Sequence, residues 1–149
     1  MVRLSVPGDL RYRDVVLSAV TSACRVLRPD PKPKQDPSLQ GRPSEFEQQV
    51  LTAVSEAFNN VAIHAYRGGS AGTVELELRA ERDGLSICIS DHGAGYDPTE
   101  RSRPNLDELP ESNMGLYIMH SLMDTVSYRR GDPPAVPNRL LLFKRYRAA

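Results

Sequence analysis

The sequence predicts an α+β fold: a two-layer α/β sandwich in which a mostly antiparallel sheet carries helices on one face. Three observations lead there. Apolar residues recur at helical spacing in three segments, 10–27, 44–66 and 114–123. Between the second and third segments, TVELELRAERDGLSICISD alternates apolar and polar residues with period two. Short strand-like runs stand near both ends of the chain, giving the order β-α-α-β-β-α-β-β. A chain of 149 residues suits one domain, 1–149, with a single core.

VRLSV, residues 2–6, reads as a first strand closed by Pro7-Gly8. From Leu10 to Leu27, Val15, Val16, Ala19, Val20, Ala23 and Val26 mark a helix. The next segment, 29–43, is a mobile loop, because it holds five prolines and few apolar residues. Ser44 followed by Glu47 is a capping-box pattern and starts a long helix that runs to Tyr66, where Gly68-Gly69 ends it. In the two strands that follow, Val74, Leu76, Leu78 and Ala80 share one face, as do Leu85, Ile87 and Ile89. Asp83-Gly84 is the two-residue turn between them. Residues 92–113 form a long loop, of a length that is often functional. Met114–Met123 is a third helix, and VSYRR and RLLLFKRY are two last strands around a Pro-rich turn.

Composition narrows the function. Hydrophobic residues make up 40% and charged residues 26%, as in ordinary globular proteins. A formal net charge of zero argues against a dedicated nucleic-acid or membrane binder. The basic tail RLLLFKRYR reads as a solvated chain end. No apolar run approaches the roughly 20 residues that span a bilayer, and MVRLSVPGDLRYRD lacks the apolar centre of a signal peptide. Cys24 and Cys88 both sit among apolar residues and read as reduced core thiols, as in a cytoplasmic protein.

Three motifs carry chemistry. In VLTAVSEAFNNVAIHAY, Glu56 and Asn60 interrupt an apolar helix four positions apart, with His64 one turn further on. A solvated polar stripe would explain the spacing. An apolar helix suggests instead that the stripe lines a cavity, where a carboxylate and an amide oxygen suit Mg²⁺. In ISDHGAGYD, Asp91 at a strand end could accept from an exocyclic amine, and Gly93 and Gly95 would let the backbone approach a flat ligand. A plain glycine turn fits the same residues. In SNMGLYIM, a short glycine-containing turn opens a helix whose free N–H groups could bind phosphate, or Ser112 or Asn113 could simply cap it. No GxxxxGK[ST] is present, so this is not a P-loop.

Together and in this order, these motifs resemble the N, G1 and G2 boxes of the GHKL superfamily with its Bergerat, histidine kinase-like ATPase fold. SEAFNNVAIHAY resembles the N box, DHGAGYD resembles G1, and MGLYIMHSLMDTVSY resembles G2 with the helix and strand after it. VRLSVPGDL resembles the first strand. The whole chain, apart from 29–43 and 96–111, resembles the anti-sigma factor serine/threonine-protein kinases of bacterial partner-switching systems.

The resemblance implies a set of roles. Asn60 coordinates the Mg²⁺ that bridges the ATP phosphates, and Glu56 is the general base. Asp91 reads the adenine amino group, with Gly93 and Gly95 shaping the base pocket. Residues 96–113 are the ATP lid. Asn113, Met114, Gly115 and Leu116 hold phosphates at the helix start. His64 packs the end of the long helix. The partners implied are a STAS-type anti-anti-sigma factor as phosphate acceptor, a sigma factor, and a second copy in a homodimer. Two positions depart from the family pattern: Asn113 stands where glycine is usual, and Leu141 where a threonine often faces the nucleotide. Glu56 favours a kinase. The two departures favour the alternative, a nucleotide-binding anti-sigma or antagonist-binding module with little or no kinase activity. A sensor histidine kinase is disfavoured, since the sequence offers no spare helical segment for a phosphoacceptor histidine.

Overall fold

The computed structural model describes residues 1–28, 42–65, 72–94 and 114–146. Strand β1 (Val2–Pro7) leads through a 3-10 turn, Leu10–Tyr12, into helix α1 (Arg13–Leu27). Helix α2 (Glu45–Asn60) passes directly into a π-helical turn, Val61–Ala65. Strands β2 (Thr73–Ala80) and β3 (Gly84–Asp91) form a hairpin. Helix α3 (Met114–Leu122) and strands β4 (Thr125–Arg129) and β5 (Asn138–Arg145) complete the described elements. Every pairing in the five-stranded sheet is antiparallel, and the strand order is β1-β2-β3-β5-β4. This is the α+β fold that the periodicities predict.

Alternation decides which face of the sheet is covered. Val74, Leu76 and Leu78 of β2, Leu85, Ile87 and Ile89 of β3, and Leu140 and Leu142 of β5 are buried on one face. They meet Val16, Val20 and Ala23 of α1, Val50, Val54 and Phe58 of α2, and Leu116 and Met119 of α3 in one core cluster. The opposite face carries Arg3, Ser5, Glu75, Glu77, Arg79, Ser86, Ser90, Ser127, Arg129 and Arg139, all partly or fully exposed. Alternating burial thus makes one sheet face apolar and helix-covered and leaves the other polar.

Several local expectations are corrected here. Cys24 is buried in the core, but Cys88 is only partly buried and lies on the polar face beside Ser90. Leu141 pairs with Cys88 and Ser127 on that same face. It therefore points away from the helix layer and cannot stand where a residue facing the nucleotide would. The run of three leucines hides this, because a uniform run carries no period-two signal. RLLLFKR is not a solvated end: Asn138–Arg145 is hydrogen-bonded between β3 and β4. The hairpin turn is Arg82-Asp83, one residue earlier than expected, closed by the Glu81 N–H donating to the Gly84 carbonyl at 2.8 Å. Gly84 itself lies under the Phe143 ring and against the Lys144 carbonyl, where a Cβ would collide with both. The long helix is α-helical only to Asn60, with π geometry beyond it. Most of the Pro-rich loop (29–41), together with Gly95, the lid segment 96–113 and Tyr66, lies outside the described residues.

Candidate functional site

The capping box fixes where α2 starts and hence the rotation of everything on it. Ser44 Oγ accepts from the Glu47 N–H at 3.2 Å, and Glu47 Oε2 accepts from the Ser44 N–H at 2.8 Å. Three turns later this phase places Glu56 partly buried and Asn60 buried at the end of the α-helical part. Glu56 faces α3. Gly115, in the first turn of α3, approaches it so closely that a Cβ there would stand 2.5 Å from Glu56 Oε2. The first-turn N–H groups of a helix have no intrahelical acceptors and carry partial positive charge. Glu56 thus sits at an end of α3 suited to anions. Of the four residues expected at this turn, Met114 is exposed, Gly115 and Leu116 are buried, and Asn113 lies outside the described residues.

Asn59 Oδ1 and Asn60 Nδ2 are buried and find no hydrogen-bond partner among the described residues. An unsatisfied buried polar atom costs about 1–3 kcal/mol, so adjacent ones at the end of α2 mark a place where a further group belongs. The π-helical turn begins at the next residue, and such turns occur often at functional sites. His64 has its backbone in that turn. Among the described residues, no group of three or more His, Cys, Asp or Glu side chains could enclose a metal ion.

A second cluster forms at the end of β3. Asp91 is buried on the helix-covered face, in line with Ile87 and Ile89. Its Oδ1 accepts from the Gly93 N–H at 2.9 Å and from Asn138 Nδ2 at 3.1 Å. The same Nδ2 donates to the Gly93 carbonyl at 3.1 Å, and Asn138 Oδ1 accepts from the Gly131 N–H at 3.0 Å. Asn138 is fully buried. It is absent from the residues that the sequence singles out. Its partner Asp91 is 47 positions away, and only the β3–β5 register brings the two opposite each other. The structure therefore joins Glu56 with Gly115, and Asp91 with Gly93 and Asn138, on the helix-covered side of the sheet.

Glu56, Asp91, Gly93 and Gly115 lie within one recognised unit, and Asn138 stands one residue past its end. The profile of the histidine kinase-like ATPase domain matches residues 18–137. The chain belongs to the histidine kinase-like ATPase family. Within this family it is similar to the serine/threonine-protein kinase BtrW of Bordetella bronchiseptica, 38% identical over 87 residues, which cover 56% of this chain and 61% of that one. It is also similar to the anti-sigma F factor of Anoxybacillus flavithermus, 36% identical over 83 residues covering 53% of this chain and 57% of the relative. The serine-protein kinase RsbW of Bacillus subtilis is 33% identical over 87 residues, covering 53% and 54%. The matches therefore span little more than half the length of these relatives. Among solved structures, the histidine kinase domain of the Erythrobacter litoralis EL346 blue-light activated histidine kinase superposes with a TM-score of 0.54 at 17% identity. That superposition covers 94% of this chain and 61% of the other, and it bears out the fold.

Proposed function

We propose that this family member is an ATP-dependent protein serine/threonine kinase of the anti-sigma type. It would phosphorylate a STAS-type anti-anti-sigma protein and, in another state, sequester a sigma factor. The observation that carries the proposal is the placement of Glu56 against Gly115 at the start of α3. A module that only bound nucleotide would have no use for a carboxylate held beside a phosphate-binding helix end. The names of similar proteins, anti-sigma F factor and serine-protein kinase RsbW, support the same reading. The alternative binding-module reading loses one of its two supports, since Leu141 lies on the polar sheet face.

In this reading Asp91 accepts from the adenine amino group, Gly93 and Gly95 border the base, and the 96–113 segment closes over the nucleotide. The N–H groups from Asn113 to Leu116 hold phosphate oxygens. Asn60, with its buried amide, would hold Mg²⁺, which when bound neutralises phosphate charge. Glu56 accepts the proton of the acceptor hydroxyl as that oxygen bonds to the γ-phosphorus and ADP departs with the bridging oxygen. Placement and charge stabilisation supply most of the acceleration in phosphoryl transfer. The protein would act as a homodimer in the cytoplasm. Among the described residues β1 is an edge strand of the sheet, and a sheet edge invites pairing or cover. No helix among the described residues is long and apolar enough to cross a membrane.

Glu56→Gln tests the kinase role. Glutamine keeps the shape and removes the base, so transfer of labelled phosphate to the acceptor should fall by on the order of 10²–10⁴-fold with ATP binding retained. Transfer at the parent rate would remove Glu56 from the chemistry and leave a binding module.

A further inference from the structure

We infer that Asn138 is the positioning residue that sets base specificity, by holding the carboxylate of Asp91 and the turn after it in a single orientation. The inference rests on the reading of Asp91 as the group that meets the exocyclic amine of adenine. A carboxylate can rotate about its last bond, and a rotating acceptor discriminates poorly between an amine and a carbonyl on the base. Here one oxygen, Oδ1, is claimed by two donors, the Gly93 N–H at 2.9 Å and Asn138 Nδ2 at 3.1 Å. Oδ2 is left out of these bonds, and its direction follows from them.

The Asn138 amide is itself pinned. Its Nδ2 serves Asp91 Oδ1 and the Gly93 carbonyl, and its Oδ1 takes the Gly131 N–H. A flipped amide would set an acceptor against two acceptors and a donor against a donor, so the chemistry permits one orientation. The residue is 0% exposed and is in cross-strand register with Asp91. It therefore ties together three segments: the end of β3, the turn through Gly93, and the connection between β4 and β5. Gly131 is needed for this tie, because a Cβ there would run into the Val136 and Pro137 carbonyls. The Arg130 guanidinium adds a long contact, 3.5 Å, to the Ala94 carbonyl on the same turn. Asp91 supplies the acceptor, and Asn138 decides where it points.

The experiment compares ATP and GTP affinities of the full chain and of Asn138→Asp, by competition with a fluorescent nucleotide. Aspartate keeps the size but puts an acceptor opposite Asp91 Oδ1 and the Gly93 carbonyl. The parent should prefer ATP, and the variant should lose about tenfold or more of that preference through misplacement of Asp91. A purely structural asparagine would lower the unfolding temperature without changing the ratio of the two affinities among folded molecules. A folded variant that keeps the parent's ATP preference overturns the inference and leaves the reading of Asp91 standing. A parent without ATP preference overturns both. Should the variant fail to fold, the parent's own Asn138 side-chain amide resonances decide. They should move on addition of ATP and not of tripolyphosphate, and resonances that ignore ATP overturn the inference.

Discussion

At the scale of single residues, the site depends on one close approach. Gly115 has no room for a methyl group, because Glu56 Oε2 occupies the space. The obstructing atom is the tip of a flexible side chain, so Gly115→Ala should fold and displace the carboxylate. We expect phosphoryl transfer to fall by at least ~10-fold, since misplacement by about 1 Å can cost 10²-fold. The unfolding temperature should change little, and unchanged kinetics in that variant would show that Glu56 need not stand where it does. Glu56, Asn60 and Asp91 are legible in sequence because each breaks an apolar pattern over a few positions. Asn138 breaks none: PAVPNRLLL reads as a turn entering a strand, and its hydrogen-bond partner Asp91 is 47 positions away. Leu141 shows the opposite failure. Three successive leucines announce a strand but not which of them faces the helices, and the covered pair is Leu140 and Leu142.

At the scale of elements, helix starts are read better than helix ends. The Ser44–Glu47 box is a local pattern four residues long, and both of its hydrogen bonds form. Glu47 also accepts from Arg25 Nε at 3.2 Å, so the cap ties the start of α2 to α1. Ser44→Ala removes the acceptor for the Glu47 N–H and should cost about 1 kcal/mol. That corresponds to a fall of roughly 2–4 °C in the unfolding midpoint, measurable by calorimetry. A midpoint unchanged within a degree would show that the cap is dispensable. The change from α to π geometry after Asn60 has no counterpart in the sequence pattern, because VAIHAY continues the apolar run. At its other end, α3 is closed by the Lys144 ammonium, which donates to the Leu122 carbonyl at 2.5 Å. Nothing local predicts that contact either, since Lys144 arrives from β5.

At the scale of the whole molecule, the helix-free face of the sheet holds the accessible chemistry that the site does not use. The two thiols report on the two sides. Burial pushes the Cys24 thiol up to about 12, and the residue is only 4% exposed, so it should resist alkylation at neutral pH. Cys88, on the polar face, should react first, giving one fast-labelled thiol per chain by mass spectrometry. Two fast thiols would contradict the layering. If light scattering finds a dimer and Cys88 is then protected, that face is where the copies meet. The fold class was readable because period-two alternation separates the faces of β2 and β3 without knowledge of any partner. The strand order was not, because β5 enters between β3 and β4 through contacts remote in sequence. That insertion also governs how the protein comes into being. During synthesis α1, α2, β2, β3, α3 and β4 all emerge before β5, at about 5–20 residues per second. Until β5 docks, β3 has one unpaired edge and Asp91 lacks Asn138. A nascent chain without β5 therefore leaves Asp91 without its cross-strand partner, and on the proposed reading nucleotide can stabilise this domain only once β5 has docked.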